Sequence, residues 1–152
     1  MAIIAPLSRY KKKNMLIMMA ILFGLGIWCI YDGYYNQKFI QDHVDENGAP
    51  QGWLAFNKKA PPFLIAGGLL YTVYFFMVKD KKVVADEEGF KAGKTSVPYD
   101  AIEKINKTHF DRKGYFTVTY KDSSGQSKDV TVSDRNYDNL PAVLDHIVTK
   151  IS

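Results

Sequence analysis

"SVPYDAIEKINKTHFDRKGYFTVTY", residues 96–120, decides how this chain is read. Its first half imitates a helix start: Pro98 is followed by Asp100 with Glu103 three residues on, the spacing of a capping box. The helix has nothing to continue with, because Val97, Ile102 and Ile105 are too few apolar positions for an amphipathic face. The second half is clearer. In "YFTVTY" Phe116, Val118 and Tyr120 fall on one side of an extended chain and Tyr115, Thr117 and Thr119 on the other, the alternation of a half-buried strand. The stretch therefore does not continue as a helix, and its second half reads as a Gly-containing hairpin into an aromatic strand.

The same pattern extends in both directions. "KVVAD", "GFKAG", "TSVPY", "IEKINKTHF", "YFTVTY" and "DVTVSD" are six short runs rich in β-branched and aromatic residues, separated by "DEEG", "DRKG" and "DSSGQ". After them, Tyr137, Leu140, Leu144, Ile147, Val148 and Ile151 recur at three and four, which predicts one amphipathic helix with Pro141 tolerable in its first turn. That helix covers an open face or end of the sheet.

Upstream of Lys79 the composition is different. Met15–Tyr31 and Ala60–Val78 carry no charged side chain and no polar stripe, and each approaches the roughly 20 residues that span a bilayer core. Two transmembrane helices are expected. "SRYKKKN" could open a signal peptide, but the apolar stretch exceeds the usual 7–15 residues and "WCIYDGYY" offers no small-residue cleavage site, so the segment reads as a retained anchor. The expected organisation is a basic N-terminus (1–14), a first span (15–31), an external loop with a short helix (32–59), a second span (60–78) and a cytoplasmic domain (79–152).

Orientation follows the cations. Arg9, Lys11, Lys12 and Lys13 precede the first span and Lys79, Lys81 and Lys82 follow the second, which predicts an integral membrane protein with both termini cytoplasmic. Lys58 and Lys59 at the far side oppose this weakly. The sequence pI near 9.0 is a membrane-flank property and not a nucleic-acid footprint, since residues 79–152 hold 13 Lys and Arg against 12 Asp and Glu. Tyr31, Tyr34, Tyr35 and Trp53 stand where an aromatic belt would. Within the spans, Ala20 and Gly24, four apart, and Gly67 with Gly68 are candidates for close helix packing, in the hairpin or onto helices of a larger complex.

A two-span hairpin, strands carrying the turn "VPYDAI", a Gly-containing hairpin into an aromatic strand and a C-terminal amphipathic helix together resemble the bacterial pleckstrin-homology-like membrane proteins. The resemblance covers Val83 to Ile151 and implies that "VPYDAI" is a turn leading into a strand, with Ile102 and Ile105 inward. It implies an α+β membrane protein of the bacterial inner membrane, whose small antiparallel PH-like barrel or sandwich is capped by the helix. Such a scaffold binds lipids or proteins and performs no chemistry. The family fold has seven strands where six are visible here, and no site residue carries over.

Other chemistry finds little footing. "GFKAGKTS" nearly spells a phosphate loop, yet Gly89 and Gly93 enclose three residues where the motif needs four, and no helix follows, so no nucleotide is expected. His43, His109 and His146 are isolated from one another and from Cys29, which excludes a recognisable zinc spacing. No nucleophile elbow occurs, and neither span contains an ionisable side chain of the kind that marks an ion pathway. The expectation is a non-catalytic module without cofactor or metal, an accessory or scaffold subunit that meets membrane-protein partners or another copy of itself. The alternative is an anionic-lipid module using Lys107, Arg112 and Lys113 of one hairpin, beside His109, together with Lys79, Lys81 and Lys82.

Overall fold

A computed structural model describes all residues, Met1–Ser152. In chain order the elements are β1 (Ile3–Pro6), α1 (Arg9–Ile30) continued by a π-helical turn at Tyr31–Tyr35, α2 (Gln37–Asp42), α3 (Gly52–Lys59), α4 (Pro61–Val78), β2 (Lys82–Ala85), β3 (Gly89–Ala92), β4 (Thr95–Pro98), a 3-10 turn at Tyr99–Ala101, β5 (Ile102–Asn106), α5 (Phe110–Lys113), β6 (Tyr115–Lys121), β7 (Ser127–Ser133) and α6 (Leu140–Ile151). They form two compact units. One joins Met1–Lys12 to Val78–Ser152 and the other is Lys13–Met77.

The first unit is α+β, with two antiparallel sheets in the orders β1-β2-β3-β4 and β5-β6-β7. Of the expected barrel or sandwich, the two sheets form no closed barrel, because no ladder joins β4 to β5 or β1 to β7; the Tyr99–Ala101 turn carries the chain from one sheet to the other. "VPYDAI" is that turn. Glu103 makes no capping box: its carboxylate accepts from Ser127 Oγ at 2.6 Å and lies 3.4 Å from Lys121 Nζ, across the second sheet. Tyr99 pins the turn, its hydroxyl donating to Asp86 O at 2.7 Å.

Alternation in the strands sends Val83, Phe90 and Val97 from the first sheet and Phe116, Val118 and Val132 from the second into a common core. Leu140, Val143, Leu144 and Ile147 of α6 fill it, recurring at three and four as one apolar stripe demands. Val143 belongs to the stripe. Tyr137 precedes the helix and bridges to Leu7, while Ile151 is exposed.

The strand that the sequence reading lacks is β1. It pairs antiparallel with β2, Ile3 opposite Ala85 and Pro6 opposite Lys82, and buries Ala5 completely. Residues 1–14 are therefore not a free basic tail. Leu7 N donates to Lys81 O, Ser8 N to Asn136 O, and Pro6 O accepts from Asp138 N, all within 2.9 Å. Ser8 Oγ accepts from Lys11 N at 3.1 Å, satisfying one of the orphan amides at the start of α1.

The second unit is helical. α1 with its π-helical turn (27 residues) and α4 (18 residues) are long and apolar enough to cross a membrane, and 17% of each apolar window is buried. The segment between them is more ordered than a loop with one short helix: α2 is capped by Asn36, whose Oδ1 accepts from Phe39 N at 3.2 Å. Val44 bridges Pro50, and α3 buries Leu54. Trp53, expected in an aromatic belt, lies on that helix with Leu54 and Phe56.

Candidate functional site

The cationic set expected at the hairpin is built on α5. After β5 the chain turns through Thr108, whose amide donates to Asn106 Oδ1, and makes a single helical turn closed by Gly114 in the left-handed conformation (φ 69°). The positive φ favours glycine there, and a Cβ would require the Asp134 carboxylate to move. Phe110 packs edge-on against Phe116 at 5.7 Å, and His109 lies beside Tyr115 at 5.5 Å, which anchors the turn to the core.

The structure divides the set. Arg112 and Lys113 line a recess of about 390 Å³ with Tyr115, Ser133 and Arg135. Lys107 faces a different hollow, with Phe110, Leu144 and the carboxylates of Asp111 and Asp145. Lys107 thus has acidic company, and Arg135 supplies the third cation of the Arg112 recess. Arg135 was missed because it sits in "SDRNYDN", a turn whose two flanking aspartates conceal a basic residue from any charge count.

Lys79, Lys81 and Lys82 lie where the chain returns to the sheet. Lys79 Nζ is 3.8 Å from Asp80, Lys82 is the register partner of Pro6, and Lys81 holds Leu7 through its carbonyl. Since Ser8 in turn holds Asn136, the hydrogen bonds bring Lys81 and the Arg135 turn to the same short N-terminal segment. Lys11 Nζ joins them, donating to Asn136 Oδ1 at 2.7 Å.

The small residues of the apolar helices are also redistributed. A Cβ on Gly24 or on Gly67 would meet nothing within 4 Å, and Ala20 is exposed, so these three do not close the hairpin. Gly68 does, with the Phe23 ring 3.0 Å from the position a Cβ would take, and Gly26 does the same against Ile65 at 3.1 Å. The reason is facial: Gly24 and Gly26 are two positions apart and so stand on different sides of α1. Thr72 Oγ1 adds a polar contact, lying 2.8 Å from Gly68 O and 3.2 Å from Met19 Sδ.

The remaining motifs take structural places. "GFKAGKTS" is the β3–β4 hairpin, turning at Gly93 (φ 62°) with Lys94 exposed. Cys29 is a buried free thiol. His43 stacks on Phe39 at 4.2 Å, and His146 Nε2 lies 3.2 Å from Asp86 O.

No protein-family model, no curated protein and no solved structure matches this chain.

Proposed function

We propose that this chain is a membrane-anchored interaction module: a PH-like domain carrying a two-span hairpin between its first and second strands, serving as an accessory or scaffold subunit of a bacterial inner-membrane assembly. The observation that carries this reading is the β1–β2 ladder, Ile3 opposite Ala85 and Pro6 opposite Lys82. One strand precedes the apolar helices and its partner follows them, so a spanning chain must cross the bilayer an even number of times between them. With the Arg and Lys excess on both flanks, the even crossing favours a cytoplasmic domain and cytoplasmic termini. A four-plus-three strand arrangement with a closing C-terminal helix supports the PH-like resemblance. Cleavage of the first span as a leader would remove a strand of the sheet, which argues for its retention.

Ala20 and Gly24 on the outward face of α1 are where a partner's helix could approach closely. Gentle detergent extraction of the tagged native protein followed by native mass analysis tests the reading. Defined protein partners at fixed ratio are expected, and a solitary chain overturns it.

A second reading, an anionic-lipid module, is favoured by the Arg112, Lys113 and Arg135 recess beside the Lys81 segment. Each such cation near an anionic leaflet contributes on the order of 1 kcal/mol. Charge reversal of Arg112, Lys113 and Arg135 to Glu is expected to abolish binding to anionic liposomes, whereas Lys107→Glu has the smaller effect. Unchanged binding of the triple variant refutes it.

A further inference from the structure

The helical unit contains a recess that neither reading uses. Leu25, Trp28 and Cys29 of α1, Asp32 of the π-helical turn, Phe39 of α2, and Trp53, Phe56 and Asn57 of α3 enclose about 300 Å³. That is the lower end of the range for small-molecule sites, about 300–1,000 Å³. Its floor is closed and its walls are open: Cys29 and Asn57 are buried, whereas Trp28 and Trp53 are exposed by about two thirds. Gly33 seals the neighbouring turn, its missing Cβ standing 3.0 Å from Asn57 O. π-Helical turns recur at functional sites.

The lining is chemically selective. It offers four aromatic rings, one carboxylate and one amide, and no basic side chain. Asp32 Oδ2 accepts from Trp28 Nε1 at 2.5 Å and Oδ1 from Asn36 Nδ2 at 2.9 Å. An ionised carboxylate has about four lone-pair positions, so half remain unused, and Asp32 forms no ion pair. An apolar guest would match the rings but lay its surface against an unneutralised carboxylate, at a cost. A polyol would satisfy Asp32 but find only the buried Asn57 amide as a second polar wall. A cation with alkyl substituents uses both features, since aromatic rings attract it through their quadrupoles and the carboxylate through its charge.

We infer that this recess binds an organic ammonium group, walled by Trp28, Phe39, Trp53 and Phe56 and neutralised by Asp32. The chemistry has two sources, the headgroup of an amine-bearing lipid and a free alkylammonium, and the experiment separates them. The chain's two tryptophans both line the recess, so tryptophan emission of the full-length protein, excited selectively over its ten tyrosines, reports on it. In a maltoside detergent, choline is titrated against 3,3-dimethylbutan-1-ol, its uncharged carbon isostere. In parallel, the protein in phosphatidylglycerol nanodiscs receives increasing phosphatidylcholine.

Saturable choline binding about tenfold or more tighter than the isostere is the expected result for a soluble source. Saturation by phosphatidylcholine without a response to free choline assigns the headgroup. Asp32→Asn is expected to weaken whichever response appears by about tenfold while leaving the far-ultraviolet dichroism unchanged. Equal responses to choline and its isostere with no lipid saturation, or no response in either medium, overturn the proposal. The isostere comparison uses unmodified protein, so a folding defect in the variant does not obscure the outcome.

Discussion

The sheet unit and the helical unit handle the same side chains in opposite ways. Phe90, Phe116, Leu140 and Ile147 have no accessible surface, each closed in by residues far away in sequence. In the helical unit Phe63, Leu70 and Met77 leave more than seven tenths of their surface uncovered, along α4, a helix with no polar face to turn outward. A water-exposed protein would lose roughly 1.5–3 kcal/mol for every large apolar side chain left in solvent that way, so the contrast points to two different solvents for two parts of one chain. It also shows that burial and hydrophobicity are separate properties. In the sheet unit large apolar residues mark the protein's own core, whereas in the helical unit only a few, such as Leu54, are buried.

Ala5→Asp is the hardest test. It places a carboxylate in β1 at a site with no accessible surface, and an unpaired buried charge costs several kcal/mol, enough to unfold an ordinary domain. Rapid limited proteolysis within residues 83–151 is expected, and a protected domain would show that β1 is dispensable. Next, Phe116→Ala is expected to lower the stability of the sheet unit by about 3–5 kcal/mol, while Phe63→Ala in detergent changes stability by less than about 0.5 kcal/mol. Similar losses from both, measured by thermal denaturation, would break the contrast between the units.

A finer comparison lies inside the helical unit. Gly68→Leu drives a side chain into the Phe23 ring and is expected to cost about 1–3 kcal/mol, while Gly24→Leu meets open space and leaves the hairpin intact. A cysteine pair across α1 and α4 crosslinks less efficiently only in the first variant. Reduced crosslinking by Gly24→Leu as well would mean that the two glycines share a face.

The smallest effect concerns Glu87, which pairs with the Met1 ammonium at 2.5 Å and with Lys150. The Lys150 ammonium first, and the N-terminus second, hold its carboxyl down at about 2. A depressed carboxylate stabilises the folded form above its unfolded value near 4.5, and this contribution fades as pH falls from there towards 2. Because the groups are exposed, the effect is slight and screened by salt. Glu87→Gln is expected to flatten the melting temperature between pH 4.5 and 2 relative to the parent, and an identical pH profile would contradict it.

Much of this architecture was legible because periodicity survives in short runs. The alternation in "YFTVTY" gave the buried face of β6, and the three-and-four spacing gave α6, since both reflect local geometry. β1 escaped because "IIAP" shows no alternation of polar and apolar residues and stands beside a basic run that looks like a membrane flank. Its partner lies some eighty positions further on, and nothing local records that pairing. The aromatic recess escaped for the same reason: Trp28, Phe39 and Trp53 are separate marks until two short helices fold them together. The separation into two unjoined sheets was not legible either, because it depends on edge pairings that side-chain pattern does not encode.

The insertion of both apolar helices between β1 and β2 has a consequence for biosynthesis. At about 5–20 residues per second, roughly 4–16 seconds separate translation of Ile3 from that of its register partner Ala85, and both apolar helices are made in that interval. The first strand must wait unpaired. If the hairpin inserts with its ends on opposite faces of the bilayer, β1 and β2 never meet, Val83 and Phe90 lose their cover, and the chain is left as a protease substrate. On the proposed membrane reading, completion of the sheet acts as a proofreading step, because β1 reaches β2 only when both ends of the helical hairpin lie on one side of the bilayer.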